Sequence, residues 1–225
     1  QSAFNSAGQR CSALRILFVQ DDIADDLINM ISGAMDCLTV GDTMNYATDI
    51  GPIIDKSSWW KLKEGQRELD LLGKPIKYTD VNDKFRNSHI RPSLHEIDIS
   101  QIQTFTDNEK FGPILHVVRY GSRSFGLAEA IEIINDSGYG LTFGIHSRIP
   151  SFVDHVVNQL NVGNIYVNRN QVGAIVESQP FGGVGLSGTG PKAGGDKYLH
   201  KFVFEQSIST NTTAWGGNTS LMMLE

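Results

Sequence analysis

The chain has 225 residues, of which 40% are hydrophobic and 20% are charged, a balance that excludes a disordered or fibrous protein. Its net charge of -6 makes nucleic acid an unexpected partner, and no apolar run approaches the roughly 18 residues that a membrane-spanning helix needs. Two cysteines cannot form a disulfide framework, which favours a reducing compartment, the cytoplasm. Peripheral association of a longer parent protein with the inner membrane has no support in these residues.

The first half of the chain predicts a strand, a helix and a peripheral stretch. Residues 13–20 form a short apolar run of strand length. An Asp-Asp pair then offers a helix N-cap, and apolar residues recur every three or four positions over 22–38, which predicts an amphipathic helix. Residues 41–84 mix turn signals with one polar helix around 55–72, so we expect this stretch to be peripheral.

The second half alternates strands and helices before a glycine-rich loop. In chain order, we predict a strand at 113–119, a helix from 127 to 136, a strand at 141–146, a helix at 151–160 and a strand at 162–168. This alternation predicts an α/β fold with a mostly parallel sheet covered by helices on both faces. We assign one domain to residues 1–205 and a less regular tail to residues 206–225.

Cys11 is the residue with the clearest chemical potential. It follows a polar loop just before the first predicted strand, where backbone N–H groups can stabilise an oxyanion on an incoming carbonyl group. Cysteine is also the most nucleophilic side chain. The alternative is a small buried apolar residue, which is the interpretation we keep for Cys37 on the apolar-rich helix. The six histidines neither cluster nor show a metal-binding spacing, so we assign none of them to catalysis or metal binding.

Three segments, in the correct order, resemble the aldehyde dehydrogenase superfamily. Residues 4–11 read Phe-Asn-Ser-Ala-Gly-Gln-Arg-Cys and are similar to its catalytic-cysteine segment. Residues 109–113 resemble its Glu-x-Phe-Gly-Pro motif, and residues 179–183 resemble its Pro-Phe-Gly-Gly motif. The resemblance covers residues 1–205, which would be the catalytic domain, and implies that Cys11 is the nucleophile.

The resemblance also implies a cofactor, NAD. Glu109 would accept hydrogen bonds from the ribose hydroxyls beside the nicotinamide, and Phe111 would support the nicotinamide side of the cofactor. From the residues alone, we favour an exposed charge at Glu109 and a core ring before a Gly-Pro turn at Phe111, and the resemblance reverses this preference. FAD would belong only to an upstream proline dehydrogenase domain that is not part of this chain.

Two segments narrow the resemblance to one branch of the superfamily. Residues 8–13 and 162–170 are similar to Δ1-pyrroline-5-carboxylate dehydrogenases, above all to the C-terminal enzyme of bifunctional proline utilization A proteins. The implied reaction is thiolate attack on L-glutamate γ-semialdehyde, hydride transfer to NAD and hydrolysis of the thioester to glutamate, a step of proline catabolism.

The implied substrate has an α-carboxylate at the end opposite its aldehyde, so the site needs an anion anchor. By resemblance, Ser12, Gly173 and Ala174 form that anchor, because a hydroxyl and backbone N–H groups can donate to a carboxylate. Phe181 would pack on the aliphatic chain. From the residues alone, Gly173 is also consistent with a plain turn and Phe181 with a core aromatic residue.

In the family, a general-base Glu, an oxyanion-binding Asn and the dinucleotide-binding domain precede the cysteine. Only ten residues precede Cys11 here, so we expect a fragment that is inactive alone and that packs against the missing dinucleotide-binding domain. Residues 202–208 alternate as an edge strand does, which favours a homo-oligomer. The alternatives are another aldehyde dehydrogenase, a non-catalytic packing or oligomerisation domain, and a cysteine hydrolase that pairs Cys11 with a downstream histidine.

Overall fold

Among the residues that the structure describes, the main sheet has four strands, three of which are parallel. The computed structural model describes residues 1–102, 108–122, 125–211 and 223. The strands are β1 (Ile16–Gln20), β2 (Lys74–Tyr78), β3 (Ser93–Glu96) and β4 (Ile114–Tyr120). Their order in the sheet is β1-β4-β3-β2, with β4 parallel to both β1 and β3 and with β2 antiparallel to β3 at the edge. The first five residues of β4 are buried, as expected for a central parallel strand that is covered on both faces.

In the described part of the chain, four α-helices accompany the strands. They are α1 (Asp21–Asp36), α2 (Lys56–Leu72), α3 (Leu127–Asp136) and α4 (Pro150–Gln159). The buried residues Ala24, Ile28 and Met35 lie on one face of α1, which packs against β1, β2 and β4. The side chain of Asp55 caps α2 by accepting a 2.7 Å hydrogen bond from the Ser58 N–H.

A smaller unit follows the main sheet. Its strands are β5 (Tyr139–Gly140), β6 (Thr142–Ile145), β7 (Asn164–Val167) and β8 (Val184–Gly185). β6 pairs in parallel with β7, and β5 pairs with β8 in antiparallel orientation. Ile131, Ile145 and Val156 form a small core here, separate from the main core around β1, β3 and β4. A cleft lies between β1 and β6, and residues of both strands line it.

The α/β fold, the mostly parallel sheet and the order of the predicted elements are confirmed. The expectation that residues 41–84 are peripheral is wrong. This stretch contains β2 and the whole of α2, which buries Trp59, Leu62 and Leu69 in the main core. The predicted polar helix is therefore amphipathic, with one face that closes over the sheet.

One further expectation is wrong. Cys37 is exposed, because α1 ends at Asp36 and places it at the C-cap, where its Sγ points to the Gly33 carbonyl. A short 3-10 helix, Tyr198–Phe202, ends at the start of the segment 202–208, and residues 203–211 have no regular structure within the single chain. The edge strand expected there would pair with a second copy of the chain, and it stays a prediction. None of the helices among the described residues has the length and apolarity needed to cross a bilayer.

Candidate active site

Cys11 lies on a tightly shaped loop that precedes β1. We call residues 5–12 the cysteine loop. Ser6, Ala7 and Gly8 have φ values of 56°, 54° and 65°, which are three consecutive left-handed residues. Each non-glycine residue in this conformation costs roughly 1–2 kcal/mol, so the surrounding contacts must hold the loop in place.

Side chains of the loop itself supply several of these contacts. Gln9 accepts a 2.8 Å hydrogen bond from the Ile54 N–H through Oε1 and donates a 3.1 Å bond to the Pro52 carbonyl through Nε2. Nε of Arg10 donates to Oγ of Ser6 at 2.9 Å. The Ala13 N–H donates to the Arg10 carbonyl at 3.0 Å and closes a turn around Cys11, whose side chain is exposed.

The cysteine loop packs backbone to backbone on residues 109–113, which we call the ribose segment after the role that the family resemblance implies for Glu109. A Cβ atom on Gly8 would lie 2.1 Å from the Gly112 carbonyl oxygen. A Cβ atom on Gly112 would in turn lie 2.6 Å from Cδ2 of Leu62 in α2. Only glycine allows these approaches, so the cysteine loop, the ribose segment and α2 form three layers in direct contact.

The ribose segment combines one buried side chain with two exposed ones. Lys110 is buried against Gly65, and its Nζ donates to Oε2 of Glu68 in α2 at 2.9 Å. Glu109 and Phe111, on either side of Lys110, are exposed by 51% and 43%. Both line the cleft of about 500 Å³ that Cys11 also lines. The structure therefore brings Cys11, Glu109 and Phe111 to one cleft.

Arg15 is a site residue that the sequence analysis did not find. Its Nε donates to Oε1 of Glu109 at 2.9 Å, and Nη1 donates to the carbonyls of Gly8 and Gly112 at 2.6 and 3.2 Å. Nη2 donates to the Arg10 carbonyl at 3.2 Å, and the guanidinium carbon lies 4.8 Å from the centre of the Phe111 ring. A single guanidinium thus joins the cysteine loop to the ribose segment.

Burial lowers the pKa of Arg15, whose side chain is only 18% exposed, whereas Glu109 and the Cys11 sulfur act to raise it. Arginine stays charged under such shifts, so this is a partly buried cation with a complete set of acceptors. One signal in the sequence could have revealed it. Arg15 is the only charged residue in the apolar run 13–20, and a charge in a buried strand requires partners.

The residues predicted to anchor the substrate carboxylate lie outside this cleft. The Ser12 side chain is buried, while Gly173 and Ala174 are exposed on the loop after β7. Gly173 has a φ of 120°, and its carbonyl accepts a 2.9 Å hydrogen bond from the Tyr166 hydroxyl. None of the three lines the cleft that contains Cys11.

Ser2 nevertheless connects the loop that carries Gly173 to the residues just before β1. Its carbonyl accepts a 3.0 Å hydrogen bond from the Leu14 N–H, and its Oγ accepts a 3.2 Å bond from the Gln171 N–H. Gln171 itself lines the cleft. The loop that carries Gly173 is therefore held beside the start of β1.

Phe181 is half-buried and also lies outside the cleft lining. It forms two backbone hydrogen bonds with Ala193, of 3.0 and 2.9 Å. Asn164 of β7 donates a 3.3 Å hydrogen bond to the Gly182 carbonyl, and Nζ of Lys192 donates to Oδ1 of Asn164 at 2.7 Å. These bonds fasten the glycine-rich loop to β7.

Known proteins are similar to this chain in sequence and in fold. The chain is 46% identical over 221 residues to the bifunctional protein PutA of Salmonella typhimurium, which covers 94% of this chain and 16% of that protein. A crystal structure of proline utilization A from Bradyrhizobium japonicum matches with a TM-score of 0.85 at 45% identity, over 96% of this chain and 21% of that chain. A 1-pyrroline-5-carboxylate dehydrogenase from Thermus with bound NAD matches with a TM-score of 0.79 at 30% identity, over 89% of this chain and 38% of that chain.

The chain spans less than half the length of each of these relatives. The model of the aldehyde dehydrogenase family matches residues 1–208, which include the cysteine loop, the ribose segment and the glycine-rich loop. The chain belongs to the aldehyde dehydrogenase family.

Proposed function

We propose that this chain is the cysteine-bearing part of a longer NAD-dependent enzyme that oxidises L-glutamate γ-semialdehyde to L-glutamate in proline catabolism. One observation carries this proposal: Cys11, Glu109 and Phe111 line the same cleft, although almost half of the chain separates Cys11 from the other two. The names of the PutA and 1-pyrroline-5-carboxylate dehydrogenase relatives support the substrate, and the NAD bound to the Thermus relative supports the cofactor.

The residues of the ribose segment fit the nicotinamide end of NAD. Oε1 of Glu109 is held by Arg15, whereas Oε2 has no hydrogen-bond partner among the described residues. A carboxylate oxygen in that state can accept a hydrogen bond from a ribose hydroxyl. Phe111 supplies an exposed ring beside it. When bound, NAD supplies the acceptor for the hydride that leaves the substrate.

Cys11 performs the covalent chemistry in this proposal. Its thiolate sulfur forms a bond to the aldehyde carbon, and the carbonyl oxygen becomes the oxyanion of a thiohemiacetal. The Cys11 backbone N–H has no acceptor among the described residues and can donate to that oxyanion. Loss of the hydride leaves a thioester on Cys11, and water cleaves its carbon–sulfur bond to release glutamate and regenerate the thiolate. We expect the base that activates this water in the remainder of the polypeptide.

We retain Ser12, Gly173 and Ala174 as the proposed carboxylate anchor and Phe181 as the proposed neighbour of the aliphatic chain. The support is the link through Ser2, which holds the exposed loop of Gly173 beside the start of β1. We also propose that residues 1–205 form the catalytic domain and that residues 206–225 form a C-terminal segment outside it.

The direct test of the substrate uses the longer polypeptide that contains this chain. NADH formation is followed with L-glutamate γ-semialdehyde and with succinate semialdehyde, which lacks the α-ammonium group and one carbon. We expect kcat/KM to be at least about tenfold higher for the glutamate aldehyde, since an anchor at the wrong distance loses a charge-assisted hydrogen bond. Oxidation of succinate semialdehyde without oxidation of the glutamate aldehyde would leave the family intact and refute the substrate.

A further inference from the structure

We propose that Arg15 is a positioning residue that holds the nucleophile and the ribose-binding carboxylate in one fixed arrangement. The proposal rests on the function proposed above, because it assigns a role to Arg15 in that same reaction. Arg15 contacts neither the aldehyde nor the cofactor in this account. It acts through the cysteine loop on one side and through the ribose segment on the other.

The first effect of Arg15 is on the peptide bond that precedes the nucleophile. The Arg10 carbonyl accepts hydrogen bonds from Nη2 of Arg15 and from the Ala13 N–H, so the plane of this peptide is fixed by two donors. In a trans peptide the carbonyl and the N–H point in opposite directions. The guanidinium therefore directs the Cys11 N–H away from itself, and this N–H stays available for the oxyanion.

The second effect is on the carboxylate of Glu109. Half of this side chain is exposed, and an exposed glutamate samples several rotamers. The 2.9 Å bond from Nε of Arg15 fixes one carboxylate oxygen and leaves the other free. The same guanidinium lies over the ring of Phe111, so both side chains that fit the cofactor are oriented by one group.

The geometry around Arg15 requires an arginine, and another cationic side chain such as lysine does not fit it. Four acceptors and one aromatic ring surround the guanidinium, and its planar fork reaches them in different directions. A lysine ammonium has three donors on a single nitrogen and does not stack on a ring in this way. Arg15→Lys would keep the charge but would leave several of these acceptors unpaired.

Arg119 provides a matched control. It lies on β4, near the end of the sheet opposite to Arg15, and binds Glu96 and Asp25 at 2.6 Å and Asp21 at 3.4 Å. It is thus a second guanidinium with several partners in the same sheet, but it does not line the cleft of Cys11. A merely structural role for Arg15 predicts that substitutions at both arginines have similar effects.

The experiment compares Arg15→Lys, Arg15→Gln and Arg119→Lys in the longer polypeptide with wild type. The kcat, the KM for NAD and the thermal midpoint are measured for each. We expect kcat to fall on the order of tenfold to a hundredfold in both Arg15 variants, the loss that a displacement of about 1 Å can cause. The KM for NAD should rise as well, because Glu109 is no longer oriented. Arg119→Lys should change the thermal midpoint but neither kinetic constant.

The outcomes separate the two proposals. A wild-type enzyme that oxidises no aldehyde would refute the proposed function, and the role of Arg15 with it. A second outcome would overturn the role of Arg15 alone. In this outcome the wild type is active, and a folded Arg15→Lys variant has a kcat and a KM for NAD within twofold of the wild-type values. Failure of both Arg15 variants to fold while Arg119→Lys folds would also overturn it, since Arg15 would then be a stability residue.

Discussion

At the scale of single residues, we propose separate tasks for the two carboxylate oxygens of Glu109. Oε1 accepts from Arg15 at 2.9 Å, and we assign Oε2 to a ribose hydroxyl. In Glu109→Gln one of these acceptors becomes an N–H donor and the charge is lost. We expect the KM for NAD to rise by about tenfold, because charge-assisted hydrogen bonds are stronger than neutral ones.

Steady-state kinetics at varied NAD concentration measures this effect. Glu132→Gln on α3 is the control, because its side chain is exposed and lies outside the cleft. An unchanged KM for NAD in Glu109→Gln would remove Glu109 from the cofactor site.

Two glycines give opposite predictions for the same substitution. Gly8→Ala places a Cβ atom 2.1 Å from the Gly112 carbonyl at a residue with a φ of 65°, so we expect it to lower the free energy of unfolding by at least about 2 kcal/mol. Gly33 lies in α1 with open space around its Cα, and Gly33→Ala should raise the free energy of unfolding by about 0.5–1 kcal/mol. Urea denaturation measures both changes, and a stable Gly8→Ala variant would contradict the close contact of the two loops.

At the scale of secondary-structure elements, β3 and β4 carry two buried histidines side by side. His95 pairs with His116 in the parallel register, and Nε2 of His95 lies 3.0 Å from Oη of Tyr78 and 3.3 Å from Oδ1 of Asp70. Burial lowers the pKa of His95, although Asp70 opposes the shift. Burial lowers the pKa of His116 to about 3, and the neighbouring His95 acts in the same direction.

These shifts predict a loss of stability in mild acid. The positive charges of Lys110 and Arg15 also disfavour protonation of His116, so it is neutral in the folded protein. The unfolded chain binds this proton with a pKa near 6.5. The contribution of neutral His116 to the free energy of unfolding is therefore complete above about pH 6.5. It decreases by about 1.4 kcal/mol per pH unit as the pH falls toward 3.

Urea denaturation at pH 7 and pH 5 tests this linkage. In wild type and in His116→Gln, the free energy of unfolding at pH 5 is subtracted from that at pH 7. This difference should be smaller by about 2 kcal/mol in His116→Gln than in wild type. His146→Gln is the control, because His146 is exposed. Equal differences in wild type and in His116→Gln would contradict the linkage.

The elements that the sequence predicts correctly are those with strong periodic patterns. The apolar run of β4 and the helical spacing in α1, α3 and α4 lead to the observed elements within one to three residues. β2 was missed because its sequence, Lys-Pro-Ile-Lys-Tyr, contains two charges and a proline. The structure tolerates them because β2 is an edge strand with a shift in register between Pro75 and Lys77.

At the scale of the whole molecule, the candidate site depends on contacts that no local pattern predicts. Resemblance to a family identified Cys11, Glu109 and Phe111, but the packing of Gly8 on Gly112 is a contact between distant segments. Arg15 was missed for the same reason, since its acceptors are mostly backbone carbonyls of two loops. A carbonyl oxygen has no signature in an amino-acid sequence.

The size of the chain leads to a prediction about its activity alone. It spans 16% of the PutA relative and 38% of the Thermus dehydrogenase, so we expect the remainder of the polypeptide to supply most of the NAD site. The isolated 225-residue chain should therefore give no NADH with L-glutamate γ-semialdehyde, whereas the longer polypeptide should. Turnover by the isolated chain at a rate similar to that of the longer polypeptide would refute this division of the site.

The most direct test of the central claim is a search for the covalent intermediate on Cys11. The longer polypeptide is mixed with NAD and L-glutamate γ-semialdehyde, quenched in acid within the first turnover and analysed by peptide mass spectrometry. Cys37 is the internal control, since both cysteines of this chain are free and exposed. We predict a glutamyl thioester on the Cys11 peptide, none on the Cys37 peptide, and neither adduct nor turnover in Cys11→Ala. Continued aldehyde oxidation by Cys11→Ala would contradict the assignment of Cys11 as the nucleophile.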